Sequence, residues 1–269
     1  MSDLYTKTYF TNKYIDYLVN MYIREYDIRR AGQSALLVSG HIDENKYKYL
    51  CSLSRHERQV QTGLLIRDDP VMDKARKGVI EETRRQFIEA NMLEDGDILS
   101  IKNDAIYVIQ KTPTVLKFFD GRMEFVAKNT YTSYYRYGRT EIYYFNDVVT
   151  NFEKVDVKNI SDEALEMHRE YFLDFLMYLF ELAQTSSRNE VIGALQEMMT
   201  RLINMDLSLG YYREFNARSK FKLKISEFTD YYADFLPEDV DKSIIDINQN
   251  LDILRHFYKM FSSMYFGNK

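Results

Sequence analysis

The sequence contains no tryptophan, one cysteine, three prolines and ten glycines among 269 residues. The single cysteine, Cys51, cannot form a disulfide within the chain, and it excludes a cysteine-rich zinc site. The four histidines occur without HxxxH or HExxH spacing, so a histidine metal site is not expected either. P-loop and GxGxxG motifs are also missing, which leaves P-loop and Rossmann nucleotide binding without support.

No run of residues approaches the roughly 18 apolar positions of a membrane span, and the first residues lack the apolar core of a signal peptide. The net charge of −5 excludes a basic nucleic-acid coat protein. The many Lys, Asn, Ile, Tyr and Phe residues have AT-rich codons, which favours a bacterial or phage genome. We therefore expect a cytoplasmic protein without membrane contact, located in the bacterial host cell if a phage encodes it.

Hydrophobic spacing predicts mainly helices in the first 92 residues. The expected helices cover residues 11–23, 34–38, 43–63 and 70–92, with a short strand or turn near 26–31. The helix at 70–92 is the clearest, because Pro70 suits a first helical turn and the apolar residues share one face. A basic flank of this helix, which could bind phosphate or could simply be a solvated face, consists of Lys74, Arg76, Lys77, Arg84 and Arg85.

The pattern changes to strands after residue 96. A buried strand is predicted over 98–109, and further strands are predicted over 114–119, 122–128, 131–137 and 140–146. Asp120-Gly121 is a hairpin signal. The many tyrosines of 129–145 could stack on bases or fill a sheet, and we favour the sheet.

Helices dominate after residue 160. Ser161 is a suitable N-cap for a helix through 183, a second helix is expected over 188–206, and Pro237 opens a last helix to about 262. The sequence thus predicts an α+β fold. A mixed domain of helices and antiparallel sheet would cover residues 1–160, and an all-helical domain would cover residues 161–269.

Two acids stand out for their surroundings. Asp27 follows an apolar segment, and Asp104 lies in the apolar strand SIKNDAIYV, where an unpaired carboxylate is costly. Two carboxylates held close together are what two-metal nucleotidyl transfer requires, and Mg²⁺ prefers such oxygen ligands. The alternative is structural: Asp27 could cap a turn or pair with a neighbouring arginine (Arg24, Arg29 or Arg30). Asp104 could lie at a strand edge and pair with Lys102 or a tyrosine hydroxyl.

The segment YDIRRAGQS resembles motif A of family B DNA polymerases, where an Asp on a strand is followed by a turn that ends in Ser. Asp27 would match that Asp and Ser34 that Ser. KNDAIYV resembles a degraded motif C, usually a DTDS turn between strands, in which Asp104 would match the second Asp, a metal ligand. Lys102 and Asn103 stand where that family has Asp and Thr.

The resemblance implies a palm-like domain over 1–160 and a thumb-like or oligomerisation domain over 161–269. VDVKNI resembles the Lys-Gly segment that grips the primer strand, with Lys158 matching the Lys and Asn159 departing from the Gly. No motif B is evident. The residues that could bind the nucleotide in its place are Arg58, with Gly63 nearby, and Lys74, Lys77 and Arg84 on the helix at 70–92.

A basic and aromatic stretch, YYREFNARSKFKLK, follows Gly210. Its positive side chains could follow a nucleic-acid backbone, and a solvated surface segment is the alternative. The candidate nucleic-acid-binding residues are Lys158, Arg213, Arg218 and Lys220.

Two functional hypotheses remain. The first is a divergent palm-type nucleotidyl transferase, similar to a DNA polymerase, that acts on nucleic acid with two divalent metals. The metals, Mg²⁺ or Mn²⁺, would bind to Asp27 and Asp104. The second is a non-enzymatic phage or mobile-element protein that binds nucleic acid or a host or replication protein, as accessory factor or inhibitor. Tyr and Met suit adaptable interfaces, and the apolar helix at 161–183 could serve a protein partner or a homo-oligomer.

Overall fold

The fold is taken from a computed structural model that describes residues 3–67, 69–147, 150, 152–216, 221–226, 229–233 and 241–263. The chain divides into two compact units. The first unit comprises Met1–Ile15 and Tyr22–Thr130, and the second comprises Asp16–Met21 and Tyr131–Lys269. The boundary near residue 130 differs from the boundary at 160 that the sequence suggested.

The described elements mix helices with antiparallel strands, as the sequence predicted. The strands are β1 (Tyr9–Thr11), β2 (Tyr17–Ile28), β3 (Ile98–Lys102), β4 (Ala105–Ile109), β5 (Lys117–Phe118), β6 (Met123–Tyr137), β7 (Thr140–Asp147), β8 (Phe152–Lys158), β9 (Phe221–Ser226) and β10 (Thr229–Ala233). The α-helices are α1 (Ala31–Val38), α2 (Glu44–Ser52), α3 (Arg55–Arg67), α4 (Pro70–Ala90), α5 (Asp162–His168), α6 (Phe175–Thr185), α7 (Arg188–Ile203) and α8 (Asn248–Ser263). A π-helical segment, Arg169–Asp174, connects α5 to α6.

In the first unit the strand order is β1-β3-β4-β2-β6, and β5 pairs with β6. Helices α1 to α4 lie in the chain between β2 and β3. Strands β3 and β4 form a tight antiparallel hairpin in which Lys102 pairs with Ala105. Asn103 has a φ of 56° at the turn, a conformation that Asn tolerates better than most residues. Asn103 and Asp104 therefore form the two-residue turn of this hairpin.

The core of the first unit is built around Phe87 of α4. Its ring centroid lies 4.1 Å from that of Phe125 and 5.5 Å from that of Tyr26, and all three rings are buried. Helix α4 begins with Pro70 in its first turn, as predicted, and the Asp69 side chain accepts hydrogen bonds from the amides of Val71 and Met72. The apolar face of α4 thus covers β2 and β6.

The second unit has its core between β6, β7 and the helices α6 to α8. Tyr144 stacks on Phe180 with ring centroids 5.3 Å apart, and the segments α5 to α6 supply much of the apolar surface. Five tyrosines of this part of the sequence are completely buried: Tyr131, Tyr134, Tyr135, Tyr143 and Tyr144. These rings fill the sheet, which confirms the structural interpretation of the tyrosine-rich segment.

Several predicted elements were wrong. Residues 11–23 form the end of β1, a turn and the first half of β2, not a helix. The apolar residues of this segment have helical spacing, which led to the wrong prediction. Most residues of β2 are partly buried on both faces of the strand, so apolar and polar residues do not alternate strictly. The continuous strand predicted over 98–109 is the β3–β4 hairpin, which places Asp104 in a turn rather than inside a strand.

The remaining differences concern helix ends. The helix predicted over 43–63 is two helices, α2 and α3, and Gly63 lies inside α3. The last helix begins at Asn248, and Pro237 lies outside the described residues. The chain after residue 160 is not all helical, because β9 and β10 form a hairpin. In the part of the chain that the structure describes, no helix has the length and apolarity needed to cross a membrane.

Candidate active site

Of the two acids that the sequence singled out, Asp27 lies on β2 and Asp104 lies in the β3–β4 turn of the same unit. Asp27 is the second-last residue of β2 and pairs with Ala105, the first residue of β4. The amide of Ile28 donates a hydrogen bond to the carbonyl of Asp104 at 3.1 Å. Backbone pairing therefore places the two aspartates side by side, although 76 residues separate them in the sequence.

Both aspartates line a cavity of about 420 Å³ in the first unit. This volume is within the range of small-molecule sites. The charged residues that line the cavity are Asp27, Arg30, Arg55, Arg58, Arg76, Asp104 and Lys128. Five positive charges face two negative ones, so the cavity has an excess of three positive charges and suits an anionic ligand.

The surroundings of Asp104 make the charged form of its carboxyl group unfavourable. Burial raises the pKa of its carboxyl group above the ordinary range, and the nearby charge of Asp27 raises it further. Lys128 and Arg76 act in the opposite direction, without cancelling the effect. A cation bound between the two carboxylates would relieve the repulsion between them.

Asp27 has a positive partner within the chain. Lys128 Nζ on β6 lies 3.2 Å from Asp27 Oδ2 and 3.6 Å from Oε1 of the buried Glu25. Glu25 also accepts a hydrogen bond from the side-chain amide of Asn129. Burial opposes the charged form of Lys128, but its contacts with Asp27 and Glu25 raise its pKa overall.

The start of α1 forms another wall of the cavity. Arg30, at the N-cap position, has a φ of 53°, and its side chain makes no hydrogen bond that caps the helix. Ala31, Gly32 and Gln33 line the cavity. The first amides of a helix have no partner within the helix, and the helix dipole favours negative charge at this end. This wall therefore suits a phosphate group.

Helix α3 supplies Arg55 and Arg58, together with Gln59 and Thr62. Thr62 Oγ1 accepts a hydrogen bond at 2.7 Å from Nε2 of the buried Gln33, which fastens α3 to α1. Arg58, predicted as a nucleotide-binding residue, thus lies in the same cavity as the two aspartates.

Arg84 has a different place from the one predicted. It is buried, and it donates hydrogen bonds from Nε to the carbonyl of Tyr5 at 2.9 Å and from Nη1 to the carbonyl of Asn103 at 2.5 Å. The guanidinium group therefore binds the β3–β4 turn at Asn103, the residue before Asp104. Arg84 does not line the cavity. The structure thus gives Arg84 a positioning contact with the hairpin, and this placement offers no support for a contact with a nucleotide.

The other predicted nucleotide-binding residues lie on the exposed side of α4. Lys74 and Lys77 are exposed, and neither lines the cavity. Lys77 Nζ forms an ion pair with Asp73 Oδ2 at 2.6 Å, whereas Arg76 of the same helix reaches the cavity. Ser34, matched to motif A, is buried, and its hydroxyl lies 3.4 Å from the backbone carbonyl of Arg29.

The predicted nucleic-acid-binding residues belong to the second unit. Lys158 ends β8 and forms an ion pair with Asp156 at 2.8 Å. Arg213 is buried over the ring of Tyr171, and its Nε donates to the carbonyl of Gly210 at 2.7 Å, so it does not lie on a solvent-facing track. Arg218 and Lys220 lie outside the described residues.

Sequence reasoning missed three cations of the cavity, Arg30, Arg55 and Lys128, whereas Arg76 belongs to the basic flank that it had noted on the helix at 70–92. Arg30 is three residues from Asp27, so its proximity could have been noticed. Lys128 follows Asp104 by 24 residues, and no local pattern distinguishes it from other strand lysines. Only the pairing of β6 beside β2 brings it to Asp27.

The cavity offers two carboxylate groups to a divalent metal. Two carboxylates from adjacent backbone positions suit Mg²⁺ or Mn²⁺, which retain several water ligands. Among the described residues, no group of three or more His, Cys, Asp or Glu side chains could hold a metal. A cation bound to the two aspartates would therefore need its other ligands from water or from a bound phosphate.

A larger cavity of about 500 Å³ lies elsewhere in the first unit. Leu4, Tyr5, Ile88 and Met92 give it a mainly apolar lining. It does not contain either aspartate, so we place the candidate site in the charged cavity.

The charged cavity contains two carboxylates and four arginines. It is a candidate site for a phosphate-bearing ligand on a mixed α/β unit. The chain belongs to the Bacteriophage PBS1 gene 130 protein family, because a sequence model of that family matches residues 1–262. The match supports a phage origin. A search of curated proteins found no match.

Proposed function

We propose that the protein is a divergent palm-type nucleotidyl transferase that binds a nucleoside triphosphate and a divalent cation in the charged cavity. The observation that carries the proposal is the placement of Asp27, Asp104 and Arg58 in one cavity. These three residues were selected from the sequence for metal and nucleotide binding, and they come from β2, the β3–β4 turn and α3.

The chemistry proposed is attack of a nucleic-acid 3′-hydroxyl on the α-phosphorus of the triphosphate. A new P–O bond forms, and the bond to pyrophosphate breaks. Divalent metals in such reactions stabilise the attacking and leaving oxygens. Asp27 and Asp104 would hold the cation.

The phosphates would bind to the remaining walls of the cavity. Arg55 and Arg58 offer planar guanidinium groups suited to phosphate oxygens. The amides at the start of α1 offer further donors. The excess of positive charge lowers the electrostatic cost of a triphosphate.

Primer–template extension with Mg²⁺ or Mn²⁺ tests the proposal directly. We expect template-dependent extension by the wild type, and its loss by at least about 100-fold in Asp27→Ala and Asp104→Ala, because preorganised charge stabilisation commonly contributes this much. Arg58→Ala is expected to weaken nucleotide binding with a smaller effect at saturating nucleotide.

Glu197→Ala, an exposed acid on α7, serves as the control for loss of a carboxylate elsewhere. The proposal would be abandoned if the folded wild type shows no nucleotide transfer with either metal on DNA or RNA templates. It would also be abandoned if the two aspartate variants retain full activity.

A second candidate function is phosphate-ligand or nucleic-acid binding without turnover, as in a phage accessory factor or inhibitor. The contact of Lys128 with Asp27 favours it, because a built-in ammonium can neutralise the carboxylate without a metal. Nucleotide binding that persists without divalent cations, in a chain without extension activity, would support this candidate.

A further inference from the structure

Lys128 occupies a particular position in the candidate site. Its Nζ lies within 4 Å of two carboxylates, those of Asp27 and Glu25. The side chain of Lys128 is 48% exposed, whereas that of Glu25 is 5% exposed. The ammonium group can therefore leave toward solvent, but the glutamate cannot follow it.

The contact also concerns an oxygen that a metal would need. Lys128 Nζ lies 3.2 Å from Oδ2 of Asp27, the carboxylate assigned to metal binding. A cation bound to Asp27 at the same time would face a positive charge at short range, which is unfavourable even with strong solvent screening. The two cations therefore compete for the same carboxylate.

Glu25 adds to this competition. It is buried and accepts a hydrogen bond from Asn129, the neighbour of Lys128 on β6. A buried carboxylate without a counter-ion is costly, so Glu25 helps to hold the ammonium at this place.

We propose that Lys128 is an internal counter-ion of the candidate metal site, which a divalent cation displaces from Asp27 when it binds. This inference rests on the proposed function for the identity of the metal site. It goes further by assigning a role to Lys128. Its ammonium group competes with the cation for Asp27 and neutralises Asp27 and Glu25 before the cation binds.

The direct test is the affinity of the full chain for Mn²⁺, measured by electron paramagnetic resonance of the free ion. Lys128→Met is expected to bind Mn²⁺ roughly five- to tenfold more tightly than the wild type, because the competing charge is removed. Lys128→Arg keeps the charge and is expected to differ little from the wild type. Lys128→Gln repeats the loss of charge with a polar side chain, in case the Met variant folds poorly.

Lys117→Met is the matched control, because Lys117 is an exposed lysine of the first unit that forms its ion pair with Glu124 and does not line the cavity. It is expected to change the Mn²⁺ affinity much less than Lys128→Met. Equal gains in the two variants would mean a general charge effect and would overturn the proposal. Unchanged or weaker Mn²⁺ binding in folded Lys128→Met and Lys128→Gln would overturn it too.

The outcome is separable from that of the proposed function. Tighter Mn²⁺ binding by Lys128→Met in a chain without extension activity would support the counter-ion and reject the transferase. Extension activity in the wild type, with no change of Mn²⁺ affinity in the Lys128 variants, would support the transferase and reject the counter-ion. Absence of measurable Mn²⁺ binding by both the wild type and the Lys128 variants would overturn the counter-ion proposal.

Discussion

At the scale of single residues, the carboxyl group of Asp104 lowers the stability of the folded chain when it is charged. Its pKa is raised, first by burial and then by the nearby Asp27. The folded chain therefore binds this proton more tightly than the unfolded chain does. Stability contributed by this residue falls as the pH rises from the ordinary value of 3.8 through the raised value.

We expect Asp104→Asn to raise the thermal midpoint at pH 7, where the wild-type carboxylate is charged in the unfolded chain and unfavourable in the folded one. The gain should disappear well below the ordinary pKa of 3.8, where the wild-type group is protonated in both states. Thermal unfolding followed by circular dichroism at both pH values measures this. Mn²⁺ should stabilise the wild type but not the variant.

Asp27→Asn is the comparison for this prediction. It removes the acid that pairs with Lys128, so no comparable gain is expected. A lower midpoint for Asp104→Asn than for the wild type at pH 7 would show that the charged carboxylate is not unfavourable in the folded chain.

At the scale of elements, the β3–β4 hairpin depends on a residue from α4. Arg84 binds the carbonyls of Tyr5 and Asn103 and thereby fixes the turn that carries Asp104. Asn103 N also donates to the carbonyl of Thr8 at 2.7 Å. The position of the acid is therefore set by contacts outside its own hairpin.

Arg84→Met is expected to lower the free energy of unfolding by about 1–3 kcal/mol, because the buried guanidinium makes two partly buried hydrogen bonds that methionine cannot replace. It is also expected to weaken Mn²⁺ binding, since the turn is no longer held. Urea denaturation and Mn²⁺ titration measure the two effects. Arg84→Lys, which keeps the charge and can reach one carbonyl, should lie between the two.

A Met variant that is destabilised yet binds Mn²⁺ as tightly as the wild type would show that Arg84 has only a structural role. Lys74→Met, on the exposed side of α4, is the control for loss of a positive charge and is expected to change stability by less than about 0.5 kcal/mol.

The elements also show what the sequence could predict. Helix α4 was predicted with its correct start, because Pro70 and a single apolar face are local signals. Acids in apolar surroundings are conspicuous, so the sequence draws attention to Asp27 and Asp104; the folded chain brings them to one cavity, and metal binding by them stays a prediction. Strand β2 was missed because its apolar spacing also fits a helix. The contacts of Lys128 and Arg84 could not be predicted, because their partners are distant in sequence and only the folded chain brings them together.

At the scale of the molecule, the contact-based division near residue 130 differs from the predicted domain boundary at 160. Tyr135, Ile142 and Tyr144, from strands before residue 160, belong to the same apolar core as Leu176 and Phe180 from α6. A cut at 160 would separate the strands from the helices that cover them. The periodicity of the sequence changes at 160, but the packing does not divide there.

We therefore expect the fragment 1–160 to aggregate or to bind hydrophobic dyes, because an apolar sheet face loses its cover. Size-exclusion chromatography and dye fluorescence, with the full chain as control, measure this. A monomeric fragment 1–160 that unfolds cooperatively and does not bind the dye would show that the strands of the second unit do not need α6.

The left-handed backbone of Arg30 has a consequence for engineering. A residue with φ near 53° pays a steric penalty that glycine largely avoids, so a screen for thermal stability would select Arg30→Gly. That change would also remove one of the five cations of the charged cavity. Selection for stability and selection for ligand binding would therefore favour opposite residues at this position, and a library randomised at residue 30 alone could separate the two demands.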